Sequence, residues 1–235
     1  MFLFRNLNGS FHKGFVYCIT GENGCGKTTL FNVLSGLVPP SEGRIAYYGR
    51  EKAPSSPIAV SRFGGGLART FQTPVLVDTL SVEGNLRLAH RSKCERFSAL
   101  LLPQRSTDDD RAFDSRMESL ILKLRLTSLR QELAEQLSYG MRRLVSSAVA
   151  LLTDARIVLL DEPFANVDPE HRVLLQCLLA DEARRGNRCI LMIEHVAETD
   201  NLACVDFMCP LPEGLMPKRH TENTCRRPKA TGASE

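Results

Sequence analysis

The stretch Gly21-Glu22-Asn23-Gly24-Cys25-Gly26-Lys27-Thr28-Thr29 decides the fold. Two glycines with four residues between them, Gly21 and Gly26, followed by Lys and Thr, form the pattern of a loop that holds phosphate with its backbone amides. Residues 15–20 before it are apolar or β-branched and predict a buried strand, and the leucine spacing after it predicts a helix. Because a helix N-terminus attracts anions, these three elements together predict a site for the phosphates of a nucleotide.

The last residues of this loop indicate what it binds. We expect Lys27 to reach the terminal phosphates and the Thr28 hydroxyl to coordinate Mg²⁺. The alternative is a glycine-rich turn that only joins a strand to a helix. Lys and Thr at the required positions, with a strand and a helix on the two flanks, argue against that alternative.

The composition limits the class of protein. The 235 residues are 43% hydrophobic and 24% charged, which suits one α/β domain with a sizeable core. A net charge of +3 is too small to indicate a nucleic-acid partner, and we expect none. The sequence contains neither an apolar run of about 18 residues, the length of a membrane span, nor a convincing signal peptide. The eight cysteines include no C-x-x-C pair, which argues against zinc and against a disulfide framework.

Two further groups of polar residues follow predicted strands. The apolar run 157–160 predicts a central parallel strand and ends in Asp161 and Glu162. Parallel sheets bind ligands at the carboxyl ends of their strands, so we expect Asp161 to hold Mg²⁺ through water and Glu162 to polarise an attacking water. An ordinary turn after a strand is the alternative. His195 follows another predicted strand, 189–193, and is expected at the same edge of the sheet.

The remaining pattern gives a coarse secondary structure. Residues 1–14 are expected to supply one antiparallel strand, and further strands are predicted over 44–48 and 205–209. Helices are predicted over 81–89, from the acidic run 108–110 through Leu124, after residues 137–143, and from Pro169 with Asp168 as its cap. Residues 50–66 and 91–106 are expected to be loops, and the polar, basic tail 217–235 is expected to be disordered.

The order of these motifs resembles that of the ATP-binding subunit of ABC transporters, over roughly residues 5–210. Residues 21–29 resemble the Walker A motif, Gln72 the Q-loop glutamine, and Leu137-Ser138-Tyr139-Gly140 the signature motif. Residues 157–161 resemble Walker B, followed by Glu162 as the catalytic glutamate, Asp168 as the D-loop aspartate and His195 as the switch histidine.

The resemblance implies a fold and a division of the chain. The fold is an α/β P-loop NTPase with a mostly parallel central sheet, a small antiparallel β portion and an inserted α-helical lobe. Residues 1–72 and 137–216 would form a RecA-like nucleotide-binding core, with the helical subdomain, 73–136, inserted between them. Residues 217–235 would be the basic tail.

The resemblance also implies an activity, namely ATP hydrolysis that powers transport. Two protomers would bind two ATP and Mg²⁺ between them, with Ser138 and Gly140 of one protomer contacting ATP held by the other. Gln72 would contact Mg²⁺ and report to a groove where a transmembrane permease subunit docks. Glu162 would be the general base and His195 would contact the γ-phosphate. The partners are permease subunits and a second ATP-binding subunit, identical or related, at the cytoplasmic face of the cell membrane.

Within the family, residues 68–72, 137–140 and 161–165 look similar to importers of branched-chain amino acids or urea and to lipopolysaccharide export ATPases. The first stretch favours the importers. Two other functions stay open: a degenerate regulatory cassette that binds ATP without hydrolysing it, and an ABC ATPase outside transport. Against the latter, the 64 residues between Gln72 and Leu137 are too few for the long coiled coils of repair proteins. The chain also contains one cassette, whereas ribosome-associated members carry two.

Several positions depart from the family pattern. Met141 stands where a polar residue is usual, and Val149 where an arginine is common. The phosphate loop begins about 20 residues from Met1, although the family has a further strand and an adenine-stacking aromatic residue upstream. We therefore expect that strand to be missing or the start to be misassigned, with Phe2 or Phe4 as weak substitutes for the aromatic residue. The region after His195 is short.

Overall fold

The computed structural model describes residues 7–49, 66–91, 108–195, 202–211, 215, 218 and 219. Their strands are β1 (Val16–Thr20), β2 (Leu67–Arg69), β3 (Ile157–Asp161), β4 (Cys189–Ile193), β5 (Phe207–Pro210) and β6 (Lys218–Arg219). They form one sheet in the order β2-β3-β4-β1-β5-β6. All neighbouring pairs are parallel except β5 with β6. The predicted fold class, with a mostly parallel sheet and a small antiparallel portion, is confirmed.

Five helices are present in the described part of the chain. They are α1 (Lys27–Leu34), α2 (Val82–Arg91), α3 (Asp108–Lys123), α4 (Tyr139–Leu152) and α5 (Pro169–Arg184), with a short 3₁₀ turn at Ala134–Gln136. The helices predicted from sequence are confirmed, and the acidic run 108–110 forms the first turn of α3. In the same part of the chain, none of the helices has the length and apolar character needed to cross a lipid bilayer.

The core lies on both faces of the sheet. All five residues of β1 and all five of β4 are buried, as expected for central parallel strands covered on both sides. Side chains alternate between the two faces: Cys18 and Leu160 pack with the helices α4 and α5, whereas Ile19 and Leu159 pack with Phe31 of α1. This double burial explains why the strands appear in the sequence as continuous apolar runs.

The strand predicted over 44–48 is wrong. Of these residues only Tyr47 makes a single bridge, and its hydroxyl donates a 2.5 Å hydrogen bond to the carbonyl oxygen of Leu34. Positive φ angles at Gly43 (88°), Tyr48 (55°) and Gly49 (73°) interrupt the extended backbone at both ends. The segment is therefore anchored to the end of α1 by a side chain rather than by a ladder of backbone hydrogen bonds.

Other predicted boundaries also need correction. β5 begins at Phe207 instead of residue 205, because the Val205 amide donates to the Leu202 carbonyl in a turn. The expectation of a disordered tail is wrong at Lys218 and Arg219, which pair with β5 through backbone bonds that need no apolar side chain. Residues 7–14 contain no strand. The predictions for residues 1–6, including Phe2 and Phe4, and for most of the two loops lie outside the described residues.

Candidate nucleotide-binding site

The loop between β1 and α1 has the backbone shape that its glycines predict. Gly24 and Gly26 have φ angles of 78° and 100°, in the left-handed region that disfavours residues with a Cβ atom. Gly26 caps α1, which begins directly at Lys27. The free amides of the first helical turn therefore lie at the end of the central strand, where a phosphate group would be attracted.

Lys27 is held inside this loop. Its Nζ atom donates hydrogen bonds to the carbonyl oxygens of Gly21 (2.6 Å) and Glu22 (3.0 Å), and the residue is only 7% exposed. The ammonium group thus carries a positive charge at the centre of the loop, with its donors turned toward backbone oxygens.

One open cavity of about 460 Å³ joins the loop to residues far away in sequence. Its lining consists of Asn23, Gly24, Gly26, Lys27, Thr28, Thr29, Gln72, Glu162 and His195. The structure therefore brings together most of the residues that sequence analysis assigned to nucleotide. Gly21, Glu22 and Cys25 belong to the same loop without lining the cavity, and Asp161 is buried beneath it.

Glu162 and His195 form a pair at the edge of the sheet. Glu162 Oε1 lies 3.0 Å from His195 Nε2, and the Glu162 amide donates to the carbonyl of Ile193 at the end of β4. The Glu162 backbone has a φ of 48°, the left-handed conformation that is rare for a residue with a side chain. This turn directs the carboxylate into the cavity directly after β3. The pair is suited chemically to activate a water and to hold a charged ligand.

Asp161 is a buried carboxylate with unfilled acceptor capacity. Asp161 is 2% exposed, and its Oδ2 atom accepts no hydrogen bond from any described residue. Arg69 Nη2 lies 3.9 Å from this oxygen. Burial raises the pKa of the Asp161 carboxyl, and the charge of Arg69 opposes that rise. A buried oxygen of this kind would be satisfied by a cation, and oxygen donors are the ligands that Mg²⁺ prefers. The residues here therefore fit a Mg²⁺ site.

Sequence analysis missed Arg69 and Thr70 beside this carboxylate. The Thr70 hydroxyl accepts a 3.0 Å hydrogen bond from the Asp161 amide. Arg69 donates to Ser35 Oγ (2.7 Å) and stacks on Phe71. The strand that positions both, β2, has only three residues and left no periodic signal in the sequence.

Arg143 was also missed. This buried arginine of α4 donates to the carbonyl oxygens of Asp161 (3.2 Å), Glu162 (2.6 Å) and Gln72 (2.7 Å) and to the Tyr139 hydroxyl (3.1 Å). The sequence shows two adjacent arginines, and nothing in their pattern tells which one is buried.

The predicted residues Ser138, Gly140 and Asp168 lie outside the cavity. Ser138 caps α4 by accepting a 3.2 Å hydrogen bond from the Met141 amide. Asp168 caps α5, as predicted, by accepting one from the His171 amide (3.1 Å). Partial burial would raise the pKa of Asp168, but hydrogen bonds from His171 outweigh it and lower the pKa below its ordinary value. Ser138 and Asp168 are exposed, at helix N-termini.

The loop, the buried acid of β3 and the cavity between them define a P-loop nucleotide-binding domain. The sequence model described as "ABC transporter" matches residues 4–165. The chain therefore belongs to the ABC transporter family, as one of its ATP-binding cassettes.

Three known proteins show the extent of the similarity. ATP-binding cassette sub-family A member 7 of Rattus norvegicus is 34% identical over 84% of this chain and 8% of its own length. The "Probable branched-chain amino acid transport ATP-binding protein LivG" of Archaeoglobus fulgidus is 30% identical over 81% of this chain and 73% of its own length. A crystal structure of a nucleotide-free ATP-binding cassette from an ABC transporter is 26% identical, with a TM-score of 0.72 and coverage of 94% and 87%. The chain thus spans only 8–12% of the sub-family A relatives it matches.

Proposed function

We propose that this chain binds and hydrolyses ATP to power an ABC membrane transporter, and that it acts as a dimer with ATP held between the protomers. The observation that carries the proposal is the Glu162–His195 pair, which faces the phosphate loop across one cavity. A general base next to bound terminal phosphates is what hydrolysis requires, whereas ATP binding alone does not.

In this proposal the loop residues 21–29 hold the phosphates through their amides and through Lys27. Thr28, Gln72 and Asp161 would hold Mg²⁺, a role that the unfilled Oδ2 atom of Asp161 supports. When bound, the ion neutralises charge on the phosphates. Glu162 accepts a proton from the attacking water, which contributes about 10²–10⁴ in rate. His195 holds the Glu162 carboxylate in place and contacts the γ-phosphate.

The dimer is proposed from residues at the N-termini of α4 and α5, of which Ser138 and Asp168 are exposed and Gly140 is buried. Ser138 and Gly140 lie at the N-terminus of α4, where amides and the helix dipole favour an anion. These groups do not line the cavity of their own chain, so they would serve ATP held by the loop of a second subunit, identical or related. Asp168, at the start of α5, would join the same interface. ATP would then be part of the contact surface between protomers.

The permease is the other proposed partner. Apolar side chains near Gln72 are exposed, with Phe71 at 43%, Val75 at 69% and Val77 at 44%. Such a patch beside Gln72 would receive a segment of a transmembrane subunit and link its position to the nucleotide site.

The location of the protein would be the cytoplasmic face of the cell membrane. Residues 1–72 and 137–216 would be the core, and 73–136 the helical subdomain. The similarity to LivG makes branched-chain amino acids the first cargo class to test.

A second candidate is a cassette that binds ATP without hydrolysing it. Met141 favours it, because a half-buried thioether occupies the position after the signature motif and offers no polar group to a partner.

The test compares the unsubstituted chain with Glu162→Gln. We expect phosphate release from the former, and a Mg·ATP-dependent dimer of the latter in size-exclusion chromatography. Glu118→Gln, an exposed change on α3, is the matched control and should keep full hydrolysis. ATP binding without phosphate release would favour the second candidate, and salt-sensitive binding to nucleic acid would favour a non-transport ATPase.

A further inference from the structure

The Arg143 guanidinium joins two segments that meet at the cavity. Nη1 binds the successive carbonyls of Asp161 and Glu162 at the end of β3, and Nη2 binds the carbonyl of Gln72. The guanidinium is planar and its donors have a fixed geometry. It therefore fixes the backbone positions of Glu162 and Gln72 relative to each other, although it does not line the cavity itself.

Glu162 depends on such support because of its backbone conformation. A φ of 48° is disfavoured for a residue with a Cβ atom and persists only where the surroundings hold it. The shortest of the Arg143 carbonyl bonds, 2.6 Å, goes to the carbonyl of this residue. Loss of the bond would leave the carboxylate free to turn away from the position that His195 faces.

Arg143 also belongs to the helix that begins with the signature motif. It lies five residues after Ser138, the cap of α4, and its guanidinium stacks on the Tyr139 ring at 5.2 Å. The Tyr139 hydroxyl in turn donates to the Gln72 carbonyl (3.1 Å). Because a helix moves as a unit, a shift at its N-terminus reaches Arg143 and both carbonyl segments.

We infer that Arg143 is a positioning residue that sets Glu162 and Gln72 according to the placement of α4. This inference rests on the proposed function, in which the N-terminus of α4 binds ATP held by the second subunit. Occupancy of one nucleotide site then controls the hydrolytic geometry of the other. Coupling of this kind appears as cooperative hydrolysis.

The chain offers two matched control arginines. Arg142, the preceding residue, points elsewhere and binds the Ala134 carbonyl (2.7 Å) and Asp78 (2.5 Å). Arg188 is as buried as Arg143 and likewise donates to backbone carbonyls, those of Leu151 (2.6 Å) and Thr153 (2.8 Å), at the C-terminal end of α4. If Arg143 had only a structural role, Arg143→Gln and Arg188→Gln should have the same kcat per folded molecule.

The experiment measures ATP hydrolysis and hydrogen exchange of the backbone amides. The variants are Arg143→Gln, Arg142→Gln and Arg188→Gln in the full chain. For Arg143→Gln we expect kcat to fall by about 10²-fold. The KM for Mg·ATP should change by less than about threefold, because the phosphate loop is untouched. Cooperativity should also be lost. The two control variants should keep kcat per folded molecule, even where Arg188→Gln lowers stability. Equal kcat in Arg143→Gln and Arg188→Gln would overturn the inference.

Hydrogen exchange of the backbone amides tests the positioning role of Arg143 without requiring ATP hydrolysis. Peptides covering 71–74 and 162–165 should exchange faster in Arg143→Gln than in Arg188→Gln, since only the former releases these segments. Unchanged exchange in both peptides would contradict the positioning role. If the unsubstituted chain binds ATP but releases no phosphate, the proposed function fails, while the exchange data still decide the role of Arg143.

Discussion

His195 Nε2 lies 3.0 Å from Glu162 Oε1, and the two residues follow neighbouring strands whose last residues, Asp161 and Ile193, are register partners. The sheet therefore determines their pairing. His195→Ala should lower kcat by about 10²-fold, because the carboxylate loses the group that holds it. Phosphate release and equilibrium ATP binding measure this, and binding should persist. His90→Ala, in a contact with Asp110 away from the cavity, is the control. Full turnover by His195→Ala would refute the assigned role.

Gly140 is needed because backbone passes close to it. A Cβ atom there would overlap the carbonyl oxygen of Asn166 and lie 2.8 Å from its carbonyl carbon. Gly140→Ala should cost about 1–3 kcal/mol in unfolding free energy and weaken the ATP-dependent dimer, since the segment before Asp168 must move. Urea unfolding and size-exclusion chromatography test this. Gly84→Ala in α2, where the nearest atom would be Leu80 Cβ at 3.2 Å, should change stability by at most about 1 kcal/mol. Equal effects of the two substitutions would contradict the prediction.

Glu83 makes stability depend on pH in the acid range. The hydrogen bond from Arg130, followed by that from Arg87, lowers the pKa of Glu83 from 4.5 to about 2. The ionised form therefore stabilises the folded state fully above pH 4.5, and this stabilisation disappears as the pH falls toward 2. Glu83→Gln should be less stable than the unsubstituted chain at pH 7, with a difference that shrinks between pH 4.5 and about 2.

Chemical denaturation at several pH values provides the measurement. Glu118→Gln removes a more exposed partner of the same Arg130, its side chain being 48% exposed, and should have a smaller effect. A stability difference for Glu83→Gln that stays constant over the whole acid range would contradict the assignment.

Asp168 contributes to folding apart from any contact with nucleotide. Asp168→Ala removes the acceptor for the His171 amide and should cost about 1 kcal/mol of unfolding free energy. Asp168→Asn keeps a side-chain oxygen at the cap and should cost less. Thermal unfolding without nucleotide distinguishes the two, and equal losses would show that the contact of the Asp168 carboxylate with the His171 ring, rather than the cap, is the stabilising one.

The site residues that could be predicted from sequence are those that directly follow a predicted strand. The phosphate loop, the acids after β3 and His195 each follow a strand, so the parallel sheet brings them to one edge wherever the intervening chain goes. The helices were predictable for a similar reason, because their apolar spacing and their caps, such as Asp168, are local.

The remaining errors arise where tertiary contacts decide. Residues 44–48 have strand-forming side chains, yet positive φ angles around them and the Tyr47 hydrogen bond hold them outside the sheet. Lys218 and Arg219 have no apolar character and join it through backbone pairing with β5. Arg142 and Arg143 are about 100° apart around one helix. Only the packing of α4 determines which of them reaches the site.

The strands β3, β4 and β1 are neighbours in the sheet, and this arrangement affects how far the sequence can diverge. The strand ends that carry Glu162, His195 and Gly21 are each about 4.8 Å from the next, a spacing set by backbone hydrogen bonds. Val, Ile, Leu, Met and Cys already share these strands, and exchanges among them leave the register intact. The apolar residues can therefore diverge widely while the residues of the candidate site keep their separation. The TM-score of 0.72 to a solved cassette at only 26% identity agrees with this.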